Sequence, residues 1–409
     1  MYKIKQLLSN KYISYGIGVA LIYAFIDILM PLSFTTVYNS LLITIAVYSS
    51  TVIVLPRITK YLLVDKSLYI LPVLLSTYSI AIIAIVLLRI EYSRPTLLYG
   101  FSVVLCWLFF TTLLNRKSAI LKLQAIDNFS LSSLSTNRHI EIKTITPPYH
   151  LNQIEQGLVV NLHDPLTPEQ EKFIADCSIN NIVVYHSETI REMIEGKVPN
   201  THLSESALNA LNTNPSYRLI KRIIESTLII ASLPLLLPLL MIVSIAIKLE
   251  SKGPIFYTQN RVGQAGKVFK IYKLRSMEVT CPKADSKFAT EERARVTRIG
   301  RFIRQTRIDE IPQFFNVLKG EMALIGPRPE QEVFVKAFEA EIPFYGYRHM
   351  VKPGITGWAQ TVQGYTADTD STREKLAHDL YYIKHLSFWL DANIFFKTLK
   401  TMLTGFGAK

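Results

Sequence analysis

The sequence predicts an α-helical membrane bundle of four spans, then a small α/β cytoplasmic domain, then a mainly α, membrane-associated domain with a re-entrant helix. Three observations lead there. Four apolar stretches occupy residues 1–114, the composition turns polar with β-branched runs over 115–216, and a fifth apolar stretch carrying two prolines opens the basic remainder, 217–409. With 49% hydrophobic residues and a net charge of +13 over 409 residues, the chain is too apolar for an ordinary soluble enzyme and too basic to ignore anionic surfaces. The basic residues cluster beside apolar segments, which argues against nucleic acid as the reason for the charge and for membrane lipid instead.

The four N-terminal stretches run from Ile13 to Leu32, Val37 to Leu55, Leu68 to Leu88 and Leu97 to Leu114. Each approaches the roughly 20 residues a helix needs to cross a bilayer. Lys3, Lys5 and Lys11 precede the first, Arg57, Lys60 and Lys66 join the second to the third, and Arg116, Lys117 and Lys122 follow the fourth. The other connections carry only Arg89 and Arg94, so the positive-inside rule predicts both ends of the bundle in the cytoplasm. The first segment is expected to stay as an anchor. Apart from Asp27 no span holds a charge, which favours an anchor or dimer scaffold over a transporter and admits a homodimer. Cys106, Cys177 and Cys281 are scattered and suggest neither a disulfide frame nor a thiolate metal site.

In the polar region, Gly157–Leu162 and Asn181–Tyr185 are β-branched runs flanking a helix start at Thr167-Pro-Glu-Gln170, where a cap residue is followed by Pro and then Gln. This is one βαβ unit, with a second helix from Ser187 stopping at Gly196. No Gly-x-Gly-x-x-Gly follows either strand, so regulation, assembly or plain packing is expected of this domain rather than dinucleotide binding.

The fifth apolar stretch, about 221–249, carries Pro234 and Pro238 between Lys221-Arg222 and Lys248 with Lys252. A break at the prolines lets the helix enter the inner leaflet and return, which leaves both basic ends on one side. Beyond it, Asp309 and Glu310 stand in a run dense with arginine: Arg295, Arg298, Arg301, Arg304 and Arg307, then Arg328 between Pro327 and Pro329. Two acidic groups beside many guanidinium forks suit an enzyme that holds a diphosphate and passes its phosphoryl group to a carboxylate. Asp309 and Glu310 precede Pro312 at an expected helix start that runs to Lys319 and Gly320. A helix N-terminus would keep Asp309 ionised, making it the expected nucleophile, with magnesium binding and proton handling both open to Glu310. Magnesium, on Asp309 and Glu310, is expected to screen the diphosphate.

Among the arginines, Arg328 is the firmest phosphate candidate because the flanking prolines fix its backbone. Arg301 and Arg307 could instead meet anionic lipid. Lys273 and Arg275, in the strand-like Val268–Arg275, should share one face toward the diphosphate. Trp358 and Gln360 lie in a Gly/Pro-punctuated segment where the aromatic could touch a substrate, insert in the interface or pack in the core. His349 and His378 lack partners at metal-ligand spacing, and an aromatic-rich helix beyond Trp389 is expected to lie on the membrane.

Over 217–409 the ordered blocks Lys221-Arg222, Ile247–Ser251, Gly253–Phe256, Gln259–Gly263, Lys270–Met277, Asp309–Gln313, Gly326–Pro329 and Val351–Gln360 resemble the bacterial sugar transferases called polyprenyl-phosphate hexose-1-phosphate transferases. The four-span anchor and α/β domain resemble that family's long form. Modest departures are Ile224-Glu225, Leu237, Leu274 and Ile311, where the family often has Phe-Asp, Ser, Phe and Leu. The resemblance implies a UDP-sugar and undecaprenyl phosphate as substrates, UMP as product, a bacterial inner-membrane location and 217–409 as the catalytic domain. It also matches Arg298, Arg304, Lys273, Arg275 and Arg328 to basic positions of the family motif, and places Gln313 in the Asp-Glu-x-Pro-Gln block of its site. Two other classes compete: a non-enzymatic scaffold of a polysaccharide assembly complex, and a membrane-bound nucleotide-sugar dehydratase or epimerase, which the absent glycine fingerprint and Tyr-x-x-x-Lys disfavour.

Overall fold

The computed structural model describes residues 10–30, 34–59, 67–114, 121–126, 140–162, 164–198, 215–278, 295–362 and 369–404. They form two compact units, Met1–Gly196 and Lys197–Lys409. In the second, the Val198 amide donates to the Ala377 carbonyl at 2.9 Å.

The first unit opens with four long helices, α1 (Lys11–Leu29), α2 (Thr35–Ile58), α3 (Ser67–Leu88) and α4 (Arg94–Leu114). All four are long and apolar enough to cross a membrane. Several of their threonine hydroxyls find partners within their own helices, as when Thr44 donates to the Ser40 carbonyl at 2.8 Å and Thr51 to the Val47 carbonyl at 2.8 Å, so these polar groups cost little in an apolar surrounding. Between helices, Trp107 Nε1 donates to Tyr48 Oη at 3.2 Å.

The α/β region is a four-stranded parallel sheet, ordered β2-β1-β3-β4, of β1 (Leu121–Ile126), β2 (Ile140–Ile145), β3 (Leu158–Val160) and β4 (Val184–His186). The expected βαβ unit is its second half: β3, α5 (Pro168–Ile179) and β4. A capping box of Thr167 and Gln170 opens α5, and left-handed Gly196 (φ 63°) closes α6 (Ser187–Glu195). The strands β1 and β2 extend the sheet beyond the expected unit.

The second unit begins with α7 (Pro215–Glu250), 36 residues long and also apolar enough to cross a membrane. Helix continues through Pro234 and Pro238. Then come the antiparallel pair β5 (Phe256–Val262) and β6 (Val268–Leu274), α8 (Arg298–Gln305), a 3-10 turn (Ile308–Gln313), and α9 (Phe314–Lys319), closed by Gly320 at φ 85°. The parallel pair β7 (Ala323–Ile325) and β8 (Gly354–Thr356) bracket α10 (Glu332–Glu341), and α11 (Trp358–Val362), α12 (Thr369–Lys384) and α13 (Phe388–Thr404) end the described chain.

Three glycines let β7 and β8 meet: a Cβ on Gly354 would overlap the Gly326 main chain, and one on Gly357 the Gly326 carbonyl. Gly354→Ala is expected to destabilise the folded unit by about 3 kcal/mol, read as a lowered Tm. The core below is dense, with Trp358 (1% exposed) stacked on Tyr381. Trp358 is thus packed as a core residue. The last helix, α13, also buries Leu390 and Ile394 completely while exposing Phe388 and Phe395.

Candidate active site

Asp309 and Glu310 fall in the 3-10 turn, not at the start of a regular α-helix. Arg307 precedes the turn in left-handed conformation (φ 56°) and so breaks the arginine run into two elements. Both carboxylates are buried, at 8% and 7% exposure, but their surroundings differ completely.

Glu310 is ringed by cations. Lys273 Nζ lies 2.7 Å from Oε1, Arg328 Nη1 3.5 Å from Oε1, and Arg307 Nη1 3.3 Å from Oε2. Burial alone would raise this carboxyl, but Lys273, Arg328 and Arg307 outweigh it and hold the group at about 2. Asp309 makes no hydrogen bond or ion pair among the described residues. Burial and then the charge of Glu310 push it up to about 6, with Lys273, Arg304 and Arg328 only partly offsetting them. Desolvation and a like charge thus dominate at Asp309, which at about 6 is still mostly ionised at neutral pH.

The other expected residues divide. Lys273, at the end of β6, and Arg328 reach Glu310 directly, and half-buried Arg304 acts on Asp309 through its charge. Gln313, 2% exposed, ends the same turn, and its Nε2 has no hydrogen-bond partner among the described residues. Arg275 is elsewhere. The strand ends at Leu274, and the Arg275 guanidinium turns to the C-terminus of α7, donating to the Ile247, Ser251 and Lys252 carbonyls at 3.3, 2.7 and 3.1 Å. It caps a helix instead of facing a diphosphate, so Arg275→Met should cost about 2–3 kcal/mol of stability while leaving donor KM unchanged, measured by thermal unfolding beside kinetics.

Arg298 is exposed at the first turn of α8, and its side chain makes no ion pair among the described residues. Its amide instead donates to Glu250 Oε1 at 2.7 Å. Arg307, set aside for lipid, belongs to the Glu310 cluster. The signal was its spacing three residues before Glu310, which favours an ion pair in a helical turn. Also missed was the role of Lys221, which is not a membrane-flanking charge in water. Buried with Glu225 and Asp391, it donates to Ile325 O, Tyr382 Oη and Asp391 Oδ2, each at 2.7 Å, and ties α7 to β7 just before Gly326.

Magnesium is bound through hard oxygens, commonly one or two carboxylates completed by substrate phosphates and water. Asp309 has carboxylate oxygens to offer such an ion, whereas both Glu310 oxygens are taken by Lys273, Arg307 and Arg328, and among the described residues no group of three or more His, Cys, Asp or Glu offers a closed cage. Chemically, the site holds one neutralised carboxylate, one carboxylate without a partner and a half-circle of cations. An incoming polyanion is attracted, and the unpaired oxygen is left free to react.

A model of the family described as bacterial sugar transferase matches residues 216–405. The UDP-N-acetylgalactosamine-undecaprenyl-phosphate N-acetylgalactosaminephosphotransferase of Aeromonas hydrophila is 43% identical over 363 residues, 88% of this chain and 85% of its own length. The UDP-glucose:undecaprenyl-phosphate glucose-1-phosphate transferase of Klebsiella pneumoniae is 39% identical over 232 residues, 56% of this chain and 47% of its own. The exopolysaccharide production protein PSS of Rhizobium leguminosarum bv. phaseoli is 37% identical over 193 residues, 45% of this chain and 96% of its own. With a matching family model over the unit that holds Asp309 and a relative aligned over most of both chains, the protein belongs to the bacterial sugar transferase family and is an enzyme of that family.

Proposed function

We propose that the protein transfers a sugar-1-phosphate from a UDP-sugar to undecaprenyl phosphate, releasing UMP, as the initiating step of exopolysaccharide, capsule or O-antigen synthesis at the cytoplasmic face of the bacterial inner membrane. The observation that carries this is the contrast at the site: buried Asp309 without a partner beside Glu310 held by three cations. The relative that aligns over most of the chain is named for N-acetylgalactosamine, which makes UDP-N-acetylgalactosamine the first donor to test.

In this reading Arg304 and Arg328 draw the diphosphate in, and Lys273 and Arg307 keep Glu310 ionised and in place. An Asp309 carboxylate oxygen attacks the phosphorus that bears the sugar. The new O–P bond forms as the bond to the bridging oxygen breaks, and that electron pair leaves with UMP. A phosphate oxygen of undecaprenyl phosphate then attacks the same phosphorus and restores the carboxylate. Magnesium, held by Asp309 with diphosphate oxygens, would supply the screening that lets an anion approach an anion. Because only ionised Asp309 attacks, kcat/KM for the donor should fall as pH drops through about 6, checked by a pH–rate profile.

The membrane geometry that suits this reading is a bent α7. A straight 36-residue helix would be about 54 Å long, with Ile229 and Ile247 about 27 Å apart. Yet Ile229 packs in the cluster of Phe269 and Ile271, and Ile247 in that of Leu274, about 10–17 Å further along β6. Between the two ends Leu235, Met241 and Ile242 are 78, 63 and 66% exposed, which suits lipid contact. UMP release from detergent-purified enzyme, with and without undecaprenyl phosphate and magnesium and across a panel of UDP-sugars, tests the reading. Release that needs no lipid acceptor for repeated turnover would overturn it.

A further inference from the structure

The segment that presents Arg328 is held in an unusual way. Pro327 and Pro329 have no N–H, so carbonyl oxygens are the main handles by which the fold can fix this stretch. Four in succession are taken: Gly354 N donates to Pro327 O at 2.9 Å, Arg348 Nη2 to Arg328 O at 2.9 Å, Arg261 Nη1 to Pro329 O at 3.2 Å, and Val262 N to Glu330 O at 2.9 Å. The outer two are main-chain bonds and the inner two come from guanidinium groups. Those two arginines are themselves fixed. Arg348, 3% exposed, also bonds Asp379 Oδ2 at 2.9 Å and Tyr345 Oη at 2.7 Å. Arg261 bonds Gln259 Oε1 at 2.8 Å, and Glu330, ion-paired to Lys375, lies 3.7 Å from Arg261 and 4.0 Å from Arg348.

We propose that Arg261 and Arg348, the latter fixed by Asp379, are positioning residues that act through Arg328, gripping its carbonyl and the next so that its guanidinium stays on Glu310 beside Asp309. They touch no substrate. The inference rests on the transferase reading above and adds to it the origin of the cation geometry. A flexible arginine would lose rotamer and backbone freedom each time it met a diphosphate. A backbone clamped at adjacent carbonyls removes most of that loss beforehand. Guanidinium groups suit the task because each holds several acceptors in one plane, which an ammonium cannot do.

A double-mutant cycle separates this role from simple folding support. UMP release from UDP-N-acetylgalactosamine with undecaprenyl phosphate is measured for wild type, Arg261→Lys, Arg348→Lys, Arg328→Ala and the two doubles, each with its Tm. If the grip acts through Arg328, each lysine variant alone loses about tenfold in kcat/KM, yet costs less than about twofold once Arg328 is already alanine. Additive losses, or single variants with wild-type kinetics, would overturn the proposal. Should the buried Arg348→Lys fail to fold, the cycle with part-buried Arg261→Lys decides alone. A wild-type enzyme silent with every UDP-sugar tested would instead remove the transferase reading, and this inference with it.

Discussion

Asp309→Asn is expected to abolish UMP release, by at least about a thousandfold in kcat, and at the same time to make the folded protein more stable. The first effect follows from replacing an attacking carboxylate oxygen by an amide that cannot form the phosphoryl ester. The second follows from the raised Asp309 carboxyl. Its ordinary value is 3.8 and the fold holds it at about 6, so between those values the folded chain binds the proton better than the unfolded chain does. The favourable contribution is complete below pH 4 and is lost as pH rises through 6; at neutral pH the ionised group costs about 3 kcal/mol. Asparagine removes that cost, and Tm at pH 7.5 should rise by several degrees, a difference that disappears near pH 4. An inactive variant whose Tm fell would show that Asp309 supports the fold, contrary to this account.

Glu310→Gln should fail in the opposite sense. Glu310 is held at about 2 against an ordinary 4.5, so it stabilises the fold above pH 4.5 and loses that contribution as pH falls toward 2. An amide would leave Lys273, Arg307 and Arg328 crowded around a neutral group, at a cost of about 3–5 kcal/mol. Activity should drop by about a hundredfold or more as Arg328 and Lys273 lose their anchor. A finer consequence concerns the residual activity. Glu310 is one of the two causes that raise Asp309, so its removal should shift the acid limb of the pH–rate profile to lower pH than in wild type. An unmoved limb would mean that another group titrates there.

How much of this was visible in the sequence depends on how local each determinant is. The apolar helices were, because a run of about 20 apolar residues is a local property that packing does not alter. So was α5, opened by the contiguous Thr167-Pro168-Glu169-Gln170 signal. Strands β1 and β2 were passed over inside a polar region, though Ile140-Glu-Ile-Lys-Thr-Ile145 alternates as a strand should. On β1, buried Gln124 accepts from the Glu155 amide at 2.9 Å, a long-range partner no polarity count reveals.

At the site, Lys273 pairs with Glu310, but the alternation rule lapses where the strand stops, and one residue beyond Leu274 Arg275 leaves for the end of α7. Arginines recurring every third residue are spread by a 3.6-residue helix across its surface instead of along one edge. The left-handed backbone at Arg307 ends that helix and folds Arg307 back onto Glu310, a change of direction set by tertiary contacts. The difference between the two carboxylates could not be read from adjacent letters at all, because it arises from desolvation and from cations contributed by β6 and by the Pro327–Pro329 segment.

The central claim is that Asp309 carries the sugar phosphate. The most direct measurement is intact-protein and peptide mass spectrometry of enzyme quenched after mixing with UDP-N-acetylgalactosamine and magnesium, without undecaprenyl phosphate, alongside the amount of UMP released. The account predicts a burst of UMP not exceeding one per enzyme and a single added sugar phosphate on the peptide containing Asp309, lost when undecaprenyl phosphate is supplied and never formed by Asp309→Asn. Product formation with the lipid present, but with no burst and no modified peptide without it, would contradict the account and favour direct transfer between the two substrates.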